Sequence, residues 1–283
     1  QGMFLGTIML AAVFLVAALI LFVIGKGAFA LVHRSFSFKE QLVEQDNLAF
    51  SIAICGYFIG LTLAVGGTLS VPHISLTVDL IDIFLYGVIA IVLLNLSARI
   101  NDWIILTRVD AEAEIIQDHN AGVGMIEAAN HIAVGLIIYG TLASGGDVVA
   151  VLAFWLLGQT TLVVASLVYH WMAPYDVQQA IEQDNVAVGT AFAGMLLAIG
   201  NIVRFACQTP FVSWTQNLSY FASVVAFGLV MLPLARLVTD RLILPGKRLT
   251  DELIRQEKPN IGAGAVEATV YVAMSFLVGW SIR

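Results

Sequence analysis

The segment NAGVGMIE, Asn120–Glu127, recurs in the second half of the chain as NIGAGAVE, Asn260–Glu267. Each copy begins an apolar stretch of about twenty residues, the length that an α-helix needs to cross a bilayer. Each copy therefore carries a carboxylate into a membrane helix. A second pair, EQDN at Glu44–Asn47 and again at Glu182–Asn185, has nearly the same offset and also precedes apolar stretches. These paired segments predict a tandem duplication inside a membrane.

The composition supports a membrane protein. Hydrophobic residues make up 59% of the 283 residues and charged residues only 12%, whereas a soluble domain carries about a quarter charged residues. Apolar stretches long enough to span a bilayer recur along the whole chain. We expect an all-α integral membrane protein with eight transmembrane helices, arranged as two parallel four-helix repeats. The expected spans are 4–25, 48–70, 82–98, 120–143, 148–171, 186–206, 218–238 and 261–282.

The duplication divides the chain near its middle. We interpret Gln1 and Gly2 as the remnant of an expression tag, and we predict a first repeat over 3–146 and a second over 147–283. Because each repeat holds an even number of spans, the two repeats run in the same direction through the bilayer and are related by a pseudo-twofold axis. A looser two-helix repeat is also visible, because an asparagine opens every second span.

The basic residues predict the orientation. The segments between odd and even spans hold eleven of the thirteen lysines and arginines. Since basic loops stay on the cytoplasmic side, these segments are expected to face the cytoplasm, with both termini on the outer side of a bacterial inner membrane. The eleven residues are Lys26, Arg34, Lys39, Arg99, Arg108, Arg236, Arg241, Lys247, Arg248, Arg255 and Lys258.

The openings of the even spans carry a family resemblance. Each begins with an asparagine followed by small residues: Asn47-x-Ala49 with Gly56 and Gly60, Asn120-x-Gly122-x-Gly124, Asn185-x-Ala187-x-Gly189 with Gly194, and Asn260-x-Gly262-x-Gly264. In these motifs the chain resembles the YjfL-like family of uncharacterised bacterial inner-membrane proteins, a domain of unknown function. The resemblance implies two fused four-helix copies and an inner-membrane location, and it supplies no reaction or active site.

The two buried carboxylates are the main candidates for chemistry. A charge in a membrane helix costs about 2–3 kcal/mol on insertion scales, so it normally faces the bundle interior, a partner or water. His131 follows Glu127 by four residues and Tyr271 follows Glu267 by four, so each pair shares one helix face. With Asn130, these residues predict a proton or cation pathway. The alternative is that the carboxylates only hydrogen-bond neighbouring helices.

The asparagines and glycines have structural interpretations beside functional ones. Asparagine is a preferred N-cap, so the four opening asparagines are predicted to cap their helices. They could also converge on a cytoplasmic vestibule where Asp46, Asp118, Asp184 and Glu182 select cations. The glycines allow close helix packing, which would place the even spans inside the bundle and the odd spans against lipid. This packing set is Gly56, Gly60, Gly122, Gly124, Gly194, Gly262 and Gly264.

Other site classes find little support in the sequence. Arg204 near the outer end of the sixth span either extends its guanidinium to the interface or forms an outer gate. No metal-ligand cluster, phosphate-binding loop or nucleophile motif occurs, so we expect no enzyme, no cofactor and no metal site. The scattered basic residues argue against a nucleic-acid partner.

Two functions remain open from the sequence. The first is a small transporter or channel for protons, cations or small cationic solutes, with a polar path between the repeats that contains Glu127, His131 and Glu267. The alternative is a membrane scaffold or envelope-stress partner that recruits a peripheral cytoplasmic protein through its charged loops, especially Arg236–Lys258. Besides the lipid bilayer, a homodimer is a further expected partner.

Overall fold

A computed structural model describes residues 2–71, 74–244 and 246–282, so Gln1 and Arg283 lie outside the described residues. These residues form eight long helices and contain no β-strand. Each is long and apolar enough to cross a membrane, as the composition predicted. The long helices are α1 (Gly2–Val32), α2 (Leu48–Thr68), α3 (Leu76–Ile105), α4 (Ala121–Ala143), α5 (Val148–Met172), α6 (Val186–Cys207), α7 (Trp214–Val238) and α8 (Ile261–Ser281).

A short helix precedes each even-numbered long helix at one end of the bundle. The four short helices are Glu40–Glu44, Ala111–Ile116, Val177–Glu182 and Leu249–Ile254, and a π-helical turn over Thr239–Ile243 continues α7. The chain therefore consists of four similar units, each an odd long helix, a short helix and an even long helix. This unit is the looser repeat that the asparagine spacing predicted.

The opening asparagines cap their helices. Each side chain accepts a hydrogen bond from the backbone N–H three residues later, at 3.0–3.1 Å, which satisfies one of the free donors of a helix start. Asp46, His119 and Asp184, which precede three of the asparagines, have positive φ angles of 49°, 56° and 57°. This left-handed backbone, which Asp tolerates better than most residues, turns the chain from the short helix into the long one.

Three of the caps also join consecutive units. Each asparagine Nδ2 donates to a backbone carbonyl of the short helix in the following unit. These bonds run from Asn47 to Ile115 at 2.7 Å, from Asn120 to Ile181 at 2.9 Å and from Asn185 to Leu253 at 2.9 Å. Asn260 donates instead to Glu252 in its own unit, at 2.8 Å. Each of the first three side chains thus caps a helix and fixes the position of the next unit.

The long helices pack as two layers. The even helices lie side by side in the order α2, α4, α6, α8, and the odd helices form a second layer against them. The central even helices are the most enclosed. In the most apolar 18-residue stretch of α6, 83% is buried, against 22% in that of α1. α8 stands at the end of its row and is only 33% buried, so the predicted inner position fits α4 and α6 better than α8.

Glycines let the even helices touch through their backbones. A Cβ added at Gly56 would meet Ala128 of α4, one at Gly124 would meet the Ala49 backbone, and one at Gly194 would meet Ala268 of α8. Such close approach requires glycine, because any side chain would separate the helices. Gly60, Gly122 and Gly264 lie at similar crossings with His131, Val186 and Ala187.

Gly262 differs from the other glycines of the predicted packing set. A Cβ there would meet only the Asn260 side chain, at 3.1 Å, and no neighbouring helix within the described part of the chain. The reason is its place on the outer side of the last helix in the row.

Candidate functional site

The two membrane carboxylates lie at equivalent depths in α4 and α8. Glu127 is 7% exposed and Glu267 is fully buried. Each follows its capping asparagine by seven residues, about 10 Å along the helix at 1.5 Å per residue. The structure places them in two separate clusters, one in each repeat, and records no contact between them among the described residues. Each cluster is lined by an odd helix of its own repeat.

In the second repeat the carboxylate holds a cation. Arg236 Nη1 lies 2.9 Å from Glu267 Oε1, and the Tyr271 hydroxyl donates to the same oxygen at 3.2 Å. The guanidinium carbon is 5.8 Å from the ring centre of Tyr169 and 6.0 Å from that of Tyr175. A carboxylate and aromatic faces together neutralise and enclose a guanidinium well.

Tyr175 lies in the loop after α5, outside the membrane spans. Burial raises the pKa of the Tyr175 phenol, and the nearby Glu267 carboxylate raises it further. The phenol therefore stays neutral and offers the guanidinium an uncharged aromatic face.

The pattern of basic residues predicts that Arg236 lies in a cytoplasmic loop. This prediction is wrong, because Arg236 belongs to α7 and its side chain is only 12% exposed. Counting basic residues cannot distinguish an arginine in a loop from one in the last turn of a span. Arg236 lies in the last turn of α7, where the ion pair with Glu267 stabilises it.

In the first repeat the carboxylate faces a second carboxylate. The side chain of Asp102 on α3 lies beside that of Glu127, and both line the same cavity. Two adjacent carboxylates repel, so such a pair is stable when it shares a proton. Asp102 Oδ1 is buried without a donor. His131 Nδ1 is 4.0 Å from Glu127 Oε2 and already contacts the Glu127 carbonyl oxygen at 2.8 Å.

Further side chains support this cluster. The Asn130 side chain accepts a hydrogen bond from Asn101 Nδ2, which ties α4 to α3 beside the carboxyl pair. The His131 ring packs edge-on against Tyr57, with centroids 5.3 Å apart. Tyr57 in turn donates to the Gly25 carbonyl at 2.7 Å. These contacts hold the helices that surround Glu127 in fixed positions.

A cavity of about 60 Å³ leads to Glu127 and His131 from the end of the bundle that carries the short helices. Its walls are aromatic, formed by Phe29, Phe36 and Phe50. Glu127 is therefore buried and Asp102 half-buried, and both border a space that small molecules can enter.

The mouth of this cavity carries His33, Arg99 and Glu112. Arg99 is exposed and donates to the Val32 carbonyl at 3.1 Å, while Ser35 donates to the Glu112 carboxylate. Burial lowers the pKa of His33 below its ordinary value of 6.5, which favours a neutral ring. One exposed cation thus stands near three carboxyl groups, so the cavity as a whole is acidic.

The two repeats align closely around these clusters. Ser75 and Ser213 cap α3 and α7 in the same way, accepting from the N–H of the third residue of each helix at 3.4 and 3.3 Å. The offset that relates Ser75 to Ser213 also relates Ala98 to Arg236. The arginine that neutralises Glu267 therefore has no counterpart beside Glu127.

The other predicted site residues have local partners. Asn47, Asn120 and Asn185 are buried, and their caps lie along the row of even helices rather than around one opening. Arg204 donates from Nε to Asn201 Oδ1 at 3.0 Å and from Nη1 to Gln208 at 3.1 Å.

Metal-binding groups of three or more histidine, cysteine or carboxylate side chains are absent from the part of the chain that the structure describes. Sequence reasoning missed Asp102 and the role of Arg236. The constant residue spacing that relates α3 to α7 was the one sequence feature that could have indicated Asp102 and Arg236.

Comparisons with known proteins support the duplication. The family model of a Domain of Unknown Function (DUF350) matches the chain twice, over 3–142 and 144–282. A UPF0719 transmembrane protein from Aquifex aeolicus (strain VF5) is 21% identical over 253 residues, covering 87% of this chain and 90% of that protein. No solved structure matches the chain. Each family match contains four of the eight long helices.

Proposed function

Because this chain belongs to the DUF350 family, whose description assigns no activity, we propose a function from its own chemistry: it transports protons or small cations through its first repeat. One observation carries the proposal. Glu127 is buried at membrane depth and lies beside a second carboxyl group, that of Asp102. It also borders a cavity that opens at the end of the bundle.

A purely structural role fits Glu267 better than Glu127. Glu267 Oε1 accepts from an arginine and a tyrosine, so its charge is matched, while Oε2 is buried without a donor among the described residues. Glu127 has another acid, Asp102, beside it, and lysine or arginine ion pairs with it are absent among the described residues. A buried carboxyl pair without a matching cation is costly, and such groups in membrane proteins commonly mark ion or proton pathways.

A second cavity at the opposite end of the first repeat supports a path along α3. It has a volume of about 240 Å³ and is lined by Asp79, Asp82 and Tyr86, among others. The rise from Asp82 to Asp102 along α3 is about 30 Å, which matches the hydrocarbon thickness. Between them, Asn95 donates to the Tyr57 hydroxyl at 3.1 Å.

The proposed path differs from the one suggested by the sequence. The sequence favoured a path between the repeats that contained both membrane glutamates. Because Glu127 and Glu267 lie in different clusters, we now assign the path to the first repeat and a stabilising ion pair to the second. His131 and Asn130 remain beside the path, and Tyr271 belongs with the ion pair.

The orientation and the cellular location are part of the proposal. The end that carries the short helices holds most basic residues, so it is assigned to the cytoplasm, with both termini outside a bacterial inner membrane. We also propose that the chain is not an enzyme. We further propose that the chain consists of two fused YjfL-like copies divided at 146/147; the two family matches, over 3–142 and 144–282, support a division close to this point.

Flux through sealed liposomes tests the function. The full chain is reconstituted, and proton and monovalent cation fluxes are compared for the wild type, Glu127→Gln and Asp102→Asn. Glu257→Gln is the matched control, because it removes an exposed carboxylate from the same side of the bundle. We expect both site variants to abolish flux and the control to retain it. Equal flux in all four proteins would refute the proposal.

Scaffolding remains the alternative function. It is favoured by Leu242, which is 78% exposed beside the exposed basic residues Arg241 and Lys247. If wild-type liposomes show no flux, a peripheral cytoplasmic protein that co-purifies with the wild type and is lost from Leu242→Ser would support this alternative. The expected homodimer is tested separately, by the mass of the protein in lipid nanodiscs.

A further inference from the structure

We infer that the cavity beside Glu127 binds a small guanidinium or alkylammonium ion from solution, in the position that the Arg236 guanidinium occupies in the second repeat. The inference rests on the proposed function and names the class of cation that the first repeat recognises. It is carried by the comparison of two equivalent sites within one chain.

The second repeat provides the template. There a guanidinium contacts a membrane carboxylate at 2.9 Å and lies near two tyrosine rings, with 12% of the arginine side chain exposed. This cation is supplied by the chain itself. The site therefore demonstrates that this fold can hold a guanidinium at this depth between an odd helix and an even helix.

The first repeat keeps the carboxylate and loses the cation. Glu127 corresponds to Glu267, while Ala98 stands where α7 has Arg236. An alanine ends at its methyl group, so the long side chain that fills the second site is missing from the first. The cavity that reaches Glu127 and His131 is lined on α3 by Arg99 and Asp102, which lie one and four residues after Ala98.

The aromatic groups also correspond. Phe29 on α1 has its ring 6.4 Å from His131, as Tyr169 on α5 has its ring 6.2 Å from Tyr271. The offset that relates Glu127 to Glu267 relates the members of these two pairs as well. Phe36 and Phe50 complete the walls of the cavity. Aromatic faces attract cations, and phenylalanine leaves the carboxyl groups as the polar ligands.

The size and the chemistry of the cavity favour a small organic cation. A volume of about 60 Å³ accommodates roughly four water-sized groups. Guanidinium has four non-hydrogen atoms. Hard divalent cations need six or more oxygen ligands, which phenylalanine walls do not supply.

The charges around the cavity agree with this choice. Glu127, Asp102 and Glu112 are acidic, whereas Arg99 at the mouth is exposed and bonded to the Val32 carbonyl. His33 and His131 are the other titratable groups that line it. A monovalent cation can therefore bind beside Glu127 and Asp102 in place of a proton, forming charge-assisted bonds to one or both carboxylates.

Binding of guanidinium to the full chain in lipid nanodiscs tests the inference. Isothermal titration calorimetry should show saturable binding to the wild type. Glu127→Gln should weaken it at least about tenfold, equivalent to about 1.4 kcal/mol. Ala98→Arg should abolish it, because the new side chain would provide the missing guanidinium in place. Ala98→Gln, a long side chain without charge, is the matched control for Ala98→Arg and should weaken binding less.

The outcomes separate this inference from the proposed function. Absence of saturable binding to the wild type, or unchanged binding by Ala98→Arg, would overturn the guanidinium site. Proton flux that depends on Glu127 would still stand in that case. Binding that depends on Glu127, in a protein that shows no flux, would retain the site and refute transport. If Ala98→Arg does not fold, Glu127→Gln alone decides, and undiminished binding by it would overturn the inference.

Discussion

Replacing Arg236 with methionine should leave the Glu267 carboxylate buried without its cation. At the observed 2.9 Å, the ion pair contributes a Coulomb energy of about 6 kcal/mol at an effective dielectric constant of about 20. The variant can limit its loss by taking up a proton. From an ordinary carboxyl pKa near 4.3, that uptake costs about 4 kcal/mol at pH 7. We therefore expect Arg236→Met to lose about 3–4 kcal/mol of stability at pH 7, within the range for broken buried pairs.

The pH dependence has a definite sign. If the variant carries a proton on Glu267 when folded and none when unfolded, its folded state binds more protons. Its stability relative to wild type should then rise by about 1.4 kcal/mol for each unit that the pH falls toward 4.3. The wild type, with its carboxylate paired to arginine, should not show this slope.

Thermal and denaturant unfolding in detergent, followed by tryptophan fluorescence, measures both effects. The double variant Arg236→Met, Glu267→Gln is the matched control, because it removes both charges together. It should be closer to wild type than Arg236→Met alone, since no unpaired charge remains. A single variant as stable as wild type, or a double variant less stable than the single, would refute this account of the ion pair.

Three further predictions concern packing, capping and titration. Gly194→Val should lower the free energy of unfolding by about 2 kcal/mol or more, because its side chain would meet the α8 backbone. Gly262→Ala should have little effect. Asn120→Ala should cost about 1–2 kcal/mol and more than Asn260→Ala, because only Asn120 also bonds the following unit; equal losses in the same unfolding assay would contradict this. His33 should titrate below 6.5 by NMR, so its burial should reduce stability as the pH falls through 6.5; a midpoint above 6.5 would be inconsistent with the buried ring.

Much of the architecture could be predicted because it depends on local sequence. Apolar length determines the spans, and asparagine caps a helix through a contact only three residues away. The same side chain's bond to the next unit could not be predicted. Asn120 Nδ2 reaches Ile181, 61 residues on, and that contact depends on how the units stack.

The clusters around the carboxylates depend on packing between helices. Glu127 and His131 could be paired because they lie one turn apart on α4. Asp102 and Arg236 belong to other helices, and their contacts depend on the rotation and depth of α3 and α7. Gly87 of α3 packs against Leu21 and Gly228 of α7 packs against Ile202, and these contacts help to fix that rotation. The duplication made the two sites look equivalent, while the difference in charge between them arises at one position, Ala98 against Arg236.

The most direct test of the central claim compares Glu127→Gln with Glu267→Gln in one set of preparations, measuring flux in liposomes and the unfolding midpoint in detergent. The account predicts that Glu127→Gln loses flux but keeps its stability, because it removes one member of an acidic pair. It predicts that Glu267→Gln loses stability, because it leaves the Arg236 guanidinium buried without its anion. Retained flux and a large loss of stability in Glu127→Gln would contradict the account and make both carboxylates structural.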